Sequence, residues 1–219
     1  MNFLAPRSDR QVRAKICGLR RIEDLEFCQE QVTDAVGLNF WPKSKRYLEP
    51  ELAATWLEQI PETPTRIGVF VNEPTSNVQR LLEQGIIEIA QLHGDETPDD
   101  CAKLKKAGFP VLKAIGVRDS SSLAQLSMFD VDGVVLDAFC PGDYGGSGKT
   151  FNWELALEAR EILGDTPLIL SGGLISTNVA EAIQKVRPHA VDVASGVESA
   201  PGIKSTEMIA DFLQAVRSA

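Results

Sequence analysis

Eight short apolar runs rich in β-branched residues recur along the chain, near 13–17, 35–41, 66–71, 86–92, 111–116, 131–137, 167–171 and 190–194, and each reads as a strand. Helix-like stretches near 22–32, 50–59, 75–84, 97–107, 120–128, 152–163, 176–186 and 205–217 alternate with them. This alternation predicts an α/β protein, a single (β/α)8 barrel of the TIM type with its helices outside. An open, doubly wound sheet uses the same units, but the chain lacks a dinucleotide-binding glycine fingerprint, which favours closure. In a closed barrel the chemistry sits at the C-terminal ends of the strands, so a residue's place within its run separates candidate chemistry from packing.

Several helix ends are written in the sequence. Thr97 precedes Pro98, a capping residue before proline at the first helical position. Ser176 is expected to open the seventh helix in the same way. Gly85, Gly108 and Gly164 stand where a left-handed residue ends a helix. Residues 1–12 are polar enough to form a mobile extension before a barrel domain spanning 13–219.

Composition narrows the classes. The 219 residues carry a formal net charge of −9, which disfavours nucleic acid and anionic membranes as partners. No N-terminal apolar core marks a signal peptide or membrane span. Four scattered cysteines and two histidines make no metal-ligating pattern, so no metal is expected, and the cysteines fit a reducing, cytoplasmic setting.

The polar residues at strand ends are the candidates for chemistry. Lys15 and Cys17 share one face of the first strand, and Cys17 ends it. A neighbouring cation would help a thiolate form there. Cys28 and Cys101, on helices, read as small buried apolar groups. Asp137 closes an apolar strand, where a carboxylate must be paired or face the barrel mouth. Asp192 lies inside the eighth strand under the same constraint. His93 follows the fourth strand at the mouth, whereas His189 precedes the eighth and belongs to the opposite end. Arg46, in the basic run Lys43-Ser44-Lys45-Arg46, offers a two-pronged grip on a carboxylate.

Glycine-bearing loops follow the last two strands, Ser171-Gly172-Gly173 and Ser195-Gly196, the pair of places where barrels often hold phosphate. The run Gly146-Ser147-Gly148-Lys149-Thr150 looks like a nucleotide-binding P-loop. However, the glycine required five positions before Gly148 is Asp143, so a cover over the substrate is the better reading.

These motifs, taken in order, resemble the phosphoribosylanthranilate isomerase family of tryptophan biosynthesis. The resemblance rests on Lys15-Ile16-Cys17-Gly18-Leu19, Pro42-Lys43-Ser44 with Arg46-Tyr47, Gly68-Val69-Phe70-Val71-Asn72, Gln91-Leu92-His93-Gly94, Leu136-Asp137, Gly145 to Phe151, Ser171-Gly172-Gly173-Leu174 and Asp192 to Glu198. It implies an Amadori rearrangement of a small phosphosugar without cofactor, with Cys17 as general base and Asp137 as general acid. It further implies that Arg46 meets the anthranilate carboxylate, that His93 and Asp192 line the site, and that Gly172, Gly173, Ser195 and Gly196 hold the phosphate. A monomer and a homodimer are both compatible with it. Asn39, Ala194 and the long N-terminal lead depart from the family's usual pattern. Two other readings stay open: the related isomerase of histidine biosynthesis, which uses aspartate where Cys17 stands, and a phosphosugar-binding protein without catalysis.

Overall fold

The computed structural model describes residues 3–5, 11–138 and 152–219. Cys140 and the glycine-rich run Gly142 to Phe151, with the expected substrate cover, lie outside the described residues. Eight parallel strands close on themselves in sequence order: β1 (Arg13–Cys17), β2 (Ala35–Asn39), β3 (Thr65–Phe70), β4 (Ile89–Leu92), β5 (Val111–Val117), β6 (Gly133–Ala138), β7 (Leu168–Leu170) and β8 (Ala190–Val193). Closure is made by β8 beside β1, with Lys15 opposite Asp192.

Alternation along each strand sorts the side chains into two cores. Ile67, Ile89, Leu112, Val135 and Ile169, with Ala35, Ala114 and Ala190, fill the lower lumen. Ile16, Val36, Leu38, Leu92, Leu136 and Val191 face outward and pack with helix residues such as Leu25, Trp56, Leu104, Ile183 and Phe212. Each fully buried side chain of this kind contributes about 1.5–3 kcal/mol of transfer free energy.

The helices are α1 (Ile22–Glu30), α2 (Pro50–Gln59), α3 (Thr75–Glu83), α4 (Pro98–Lys106), α5 (Glu154–Leu163), α6 (Val179–Val186) and α7 (Thr206–Arg217). Thr97 caps α4 as expected, in a reciprocal box with Asp100. Between β5 and β6 the expected helix is instead a 3-10 helix, Ser120–Met128. Its two buried residues, Leu123 and Leu126, are three apart, the spacing of the tighter helix. The strand expected from residue 86 starts at Ile89, because Ile86 and Ile87 fold back through Leu81 to complete the end of α3. Ser176 does not open α6. That helix starts at Val179, and the Asn178 side chain instead accepts from Ile175 N and donates to Gly173 O, folding the preceding loop. After β8 comes an unexpected insertion: a short 3-10 turn, Ser195–Val197, then a hairpin of β9 (Glu198–Ala200) and β10 (Ile203–Lys204).

Within the N-terminal lead, Phe3 packs against the barrel. Phe3 is 1% exposed and sits among the lower-lumen residues, where three alanines leave room for a ring. Its carbonyl meets His189 Nε2 at 2.8 Å, and the two rings stand edge to face. His189 is thereby a structural residue of the lower end, as its position before β8 predicts.

Val32 is a local misfit. It follows α1 with φ +53° and is 81% exposed, a left-handed, β-branched residue at a helix end that favours glycine. Val32→Gly is expected to stabilise the fold by about 1 kcal/mol. A thermal melt should rise by roughly 2–4 °C, and an unchanged or lower midpoint would show that the backbone carries no strain there.

Candidate active site

Every candidate that lies among the described residues falls at the upper end of the barrel. Cys17 ends β1, Asp137 lies one residue from the end of β6, and Asp192 sits near the end of β8. His93 follows β4, and Arg46 stands in the loop after β2. One polar cleft is lined jointly by Asp137, Ser171, Gly172, Gly173, Asp192, Ser195 and Gly196. The general-acid candidate and the two glycine loops therefore share a single space. Two larger surface hollows, around Thr63 and Arg217, lie at the opposite end, away from this chemistry.

Asp137 is buried, and its Oδ1 accepts the Ala138 N–H at 2.8 Å. His93 Nε2 stands 3.4 Å from Asp137 Oδ2. Gln91, fully buried on β4, places Nε2 2.8 Å from His93 Nδ1. With that amide donating, the imidazole carries its proton on Nε2, the nitrogen facing Asp137. Gly172 runs close over the same carboxylate: it has φ +86°, and a Cβ there would lie 2.7 Å from Ala138 N and 3.0 Å from Asp137 Oδ1. A larger residue would push the phosphate-loop candidate off the acid.

Lys15 and Asp192 form an ion pair of 2.9 Å across the β1–β8 seam, with the lysine 0% exposed. Ser171 Oγ donates to the other oxygen of Asp192 at 3.2 Å. Removing one partner of such a buried pair typically costs about 3–5 kcal/mol. Burial works against the Lys15 charge, yet Asp192 and Cys17 outweigh it and hold the ammonium firmly protonated. For Cys17 the balance tips the other way. Burial pushes the thiol above its ordinary range, and Lys15 draws it back only in part.

Arg46 already grips a carboxylate. Its Nε and Nη2 meet Glu198 Oε1 and Oε2 at 2.7 and 2.8 Å, tying the loop after β2 to β9. Lys204, buried on β10, also reaches Glu198 Oε1 at 3.0 Å and donates to Ala194 O at 2.8 Å. Burial alone would raise the Glu198 carboxyl, but Arg46 and Lys204 hold it below the ordinary range. Gly18, with φ +81°, lies directly under the Arg46 stem, where any Cβ would overlap it. Asn39 earns its place at the same rim by accepting the Trp41 N–H at 3.0 Å.

Glu198, Lys204 and Gln91 escaped the sequence reading. An acid and a lysine in a loop read as solvated, and only their six-residue separation across a hairpin brings them together. Gln91 carried a signal: a polar side chain inside the apolar run Ile89-Ala90-Gln91-Leu92 needs a partner. Among the described residues, no three His, Cys, Asp or Glu side chains converge as a metal site requires. Nor is any described helix long and apolar enough to cross a membrane.

The model of the family described as N-(5′-phosphoribosyl)anthranilate isomerase matches residues 14–215. The chain belongs to that family. Among relatives, the N-(5′-phosphoribosyl)anthranilate isomerase of Trichlorobacter lovleyi is 41% identical over 208 residues, 95% of this chain and 99% of that one. Dimeric phosphoribosylanthranilate isomerase from Thermotoga maritima, solved as generated monomers, matches with a TM-score of 0.83 at 37% identity, covering 95% of this chain and all of the other. An isomerase structure in complex with reduced 1-(o-carboxyphenylamino)-1-deoxyribulose 5-phosphate matches equally broadly, with a TM-score of 0.82 at 37% identity. The chain is thus an isomerase of tryptophan biosynthesis built on the TIM barrel, and the phosphoribosylanthranilate isomerase family accounts for the motif order from Lys15 to Glu198.

Proposed function

We propose that Cys17 and Asp137 are the general base and general acid that convert N-(5′-phosphoribosyl)anthranilate to 1-(o-carboxyphenylamino)-1-deoxyribulose 5-phosphate. The observation that carries this reading is the shared cleft: Asp137 faces the same space as the glycine loops after β7 and β8, and Asp192, opposite Lys15 and two positions below the level of Cys17 on β1, lines it too. Asp137 gives its proton to the ring oxygen, the furanose opens, and the anthranilate nitrogen becomes a protonated imine. That cation acidifies the proton on sugar C2 and also favours a thiolate nearby. Cys17 Sγ takes the C2 proton, and the C–H electron pair becomes the C1–C2 double bond of an enolamine while the imine pair returns to nitrogen. The enolamine then tautomerises: water takes the C2 hydroxyl proton as solvent delivers one to C1, giving the ketone, and exchange with solvent returns the Cys17 proton and reprotonates Asp137, so protons balance over the cycle. Nothing is oxidised or reduced overall, so the proton transfers need no redox cofactor.

Arg46 receives the anthranilate carboxylate with the part of its guanidinium that Glu198 leaves open, and His93 and Asp192 contact the sugar or its imine. Backbone N–H groups at Gly172, Gly173, Ser195 and Gly196 take the phosphate, which close backbone approach permits. The catalytic domain is residues 13–219, with Phe3 of the lead closing its base. The reaction belongs in the cytoplasm, on a small anionic substrate and without nucleic acid, in a monomer or a homodimer.

The direct test is the loss of substrate fluorescence when purified protein meets freshly generated phosphoribosylanthranilate with no metal or nucleotide added. Saturable loss proportional to enzyme is expected; folded protein that gives none would refute the reading. Glu198 supplies a finer test. In Glu198→Gln one charged acceptor is lost and the Arg46 fork is freed to wander. KM should rise about tenfold, the equivalent of roughly 1.4 kcal/mol, with kcat little changed. A fall in kcat at constant KM would mean that Arg46 does not serve substrate binding.

A further inference from the structure

We infer that Lys15 is a positioning residue for proton abstraction, its buried ammonium anchored by Asp192 so as to stabilise the thiolate form of Cys17. This rests on the reading of Cys17 as the base, and it answers a difficulty in that reading: a buried thiol is a reluctant anion.

The geometry is specific. Lys15 stands two residues before Cys17 on the inner face of β1, with Asp192 opposite it on β8. The ammonium donates to Asp192 Oδ1 at 2.9 Å, and Cys17, two positions on along the same strand face, interacts with it electrostatically. A lysine 0% exposed in a barrel is costly, and structural needs alone would be met by an apolar pair at the seam. Among the described residues, other charged groups acting on Cys17 include Asp192 itself, Lys204 and Arg46. The last two commit their charge to Glu198, at 3.0 and 2.7 Å. Lys15 is itself paired with Asp192 at 2.9 Å, but it shares the strand face of Cys17 and lowers the thiol more than Lys204 does, and Asp192 both holds it in place and moderates it.

In the reaction the thiolate takes the C2 proton and ends as a thiol, while Lys15 keeps its own proton throughout. Lys15 thus acts only through Cys17.

The test is the pH dependence of Cys17 alkylation by iodoacetamide in the full-length protein, read on the Cys17 peptide by mass spectrometry, with circular dichroism to verify folding. Lys15→Met should move the alkylation midpoint upward by about one pH unit or more, slowing alkylation at neutral pH roughly tenfold. Asp192→Asn should move it downward, since the anion beside the thiol is gone while the lysine remains. A general loosening of the site would move both variants the same way. A midpoint unmoved by Lys15→Met, or raised by Asp192→Asn, overturns the proposal. If Lys15→Met fails to fold, Lys15→Gln, which keeps a donor for Asp192 but not the charge, takes its place, with the same upward shift expected and an unmoved midpoint overturning the proposal. Turnover of Cys17→Ala separately tests whether Cys17 is the base, so a failure of that reading is distinguishable from a failure of this one.

Discussion

Asp137→Asn is expected to lower kcat by about 10²–10⁴-fold while product still binds. The amide keeps the carboxylate's shape and can still accept the Ala138 N–H that Asp137 Oδ1 takes at 2.8 Å. The loop geometry under Gly172 therefore survives, and with it the phosphate-binding surface. What disappears is the proton that opens the furanose, for which the amide has no substitute. Steady-state kinetics and product titration by calorimetry separate the two effects. Turnover within about tenfold of the parent would mean that another group delivers the proton, and His93, 3.4 Å away, would be the one to examine.

Cys17→Ala should cost a similar factor in kcat, again about 10²–10⁴-fold, for the other half of the proton exchange. Ring opening by Asp137 remains possible in this variant, so the block falls at C2. The expected signature is that exchange of the C2 proton with solvent is lost along with turnover. The pH behaviour of the parent follows from the position of its thiol. Burial raises it above the ordinary range, so the thiolate share in the free protein is small at neutral pH and grows as pH rises. Alkylation of the parent should accordingly still be accelerating at pH 9. A plateau reached near pH 7 would contradict the burial effect. Normal C2 exchange in Cys17→Ala would remove the base assignment.

How far the sequence revealed the molecule depended on the range over which each cause acts. Strands such as Val134-Val135-Leu136 were legible because burial on both faces demands a continuous apolar run. Element ends were less so: Ile86 and Ile87 are as apolar as any strand, and only the turn at Gly85 diverts them into finishing α3. The candidate site was visible where a polar group interrupts an apolar strand, as at Lys15, Asp137 and Asp192, because desolvation makes such residues too costly to be incidental. Glu198 and Lys204 were not, since their burial comes from a hairpin of three and two residues, too short to leave a periodic trace. Phe3 was hidden for another reason. Its partner lies 186 positions away, and nothing in the local pattern of residues 1–12 reports on the hole it fills.

That distance orders events in time. Phe3 is made long before its carbonyl partner His189, which stands just before the last barrel strand. Phe3 therefore has no partner for its carbonyl until His189 has been made. Only when β8 docks against β1 does the base of the lumen exist to receive the ring. The Phe3 ring thus packs against a surface that eight strands complete together, and that surface is whole only when the ring of strands has no open edge left.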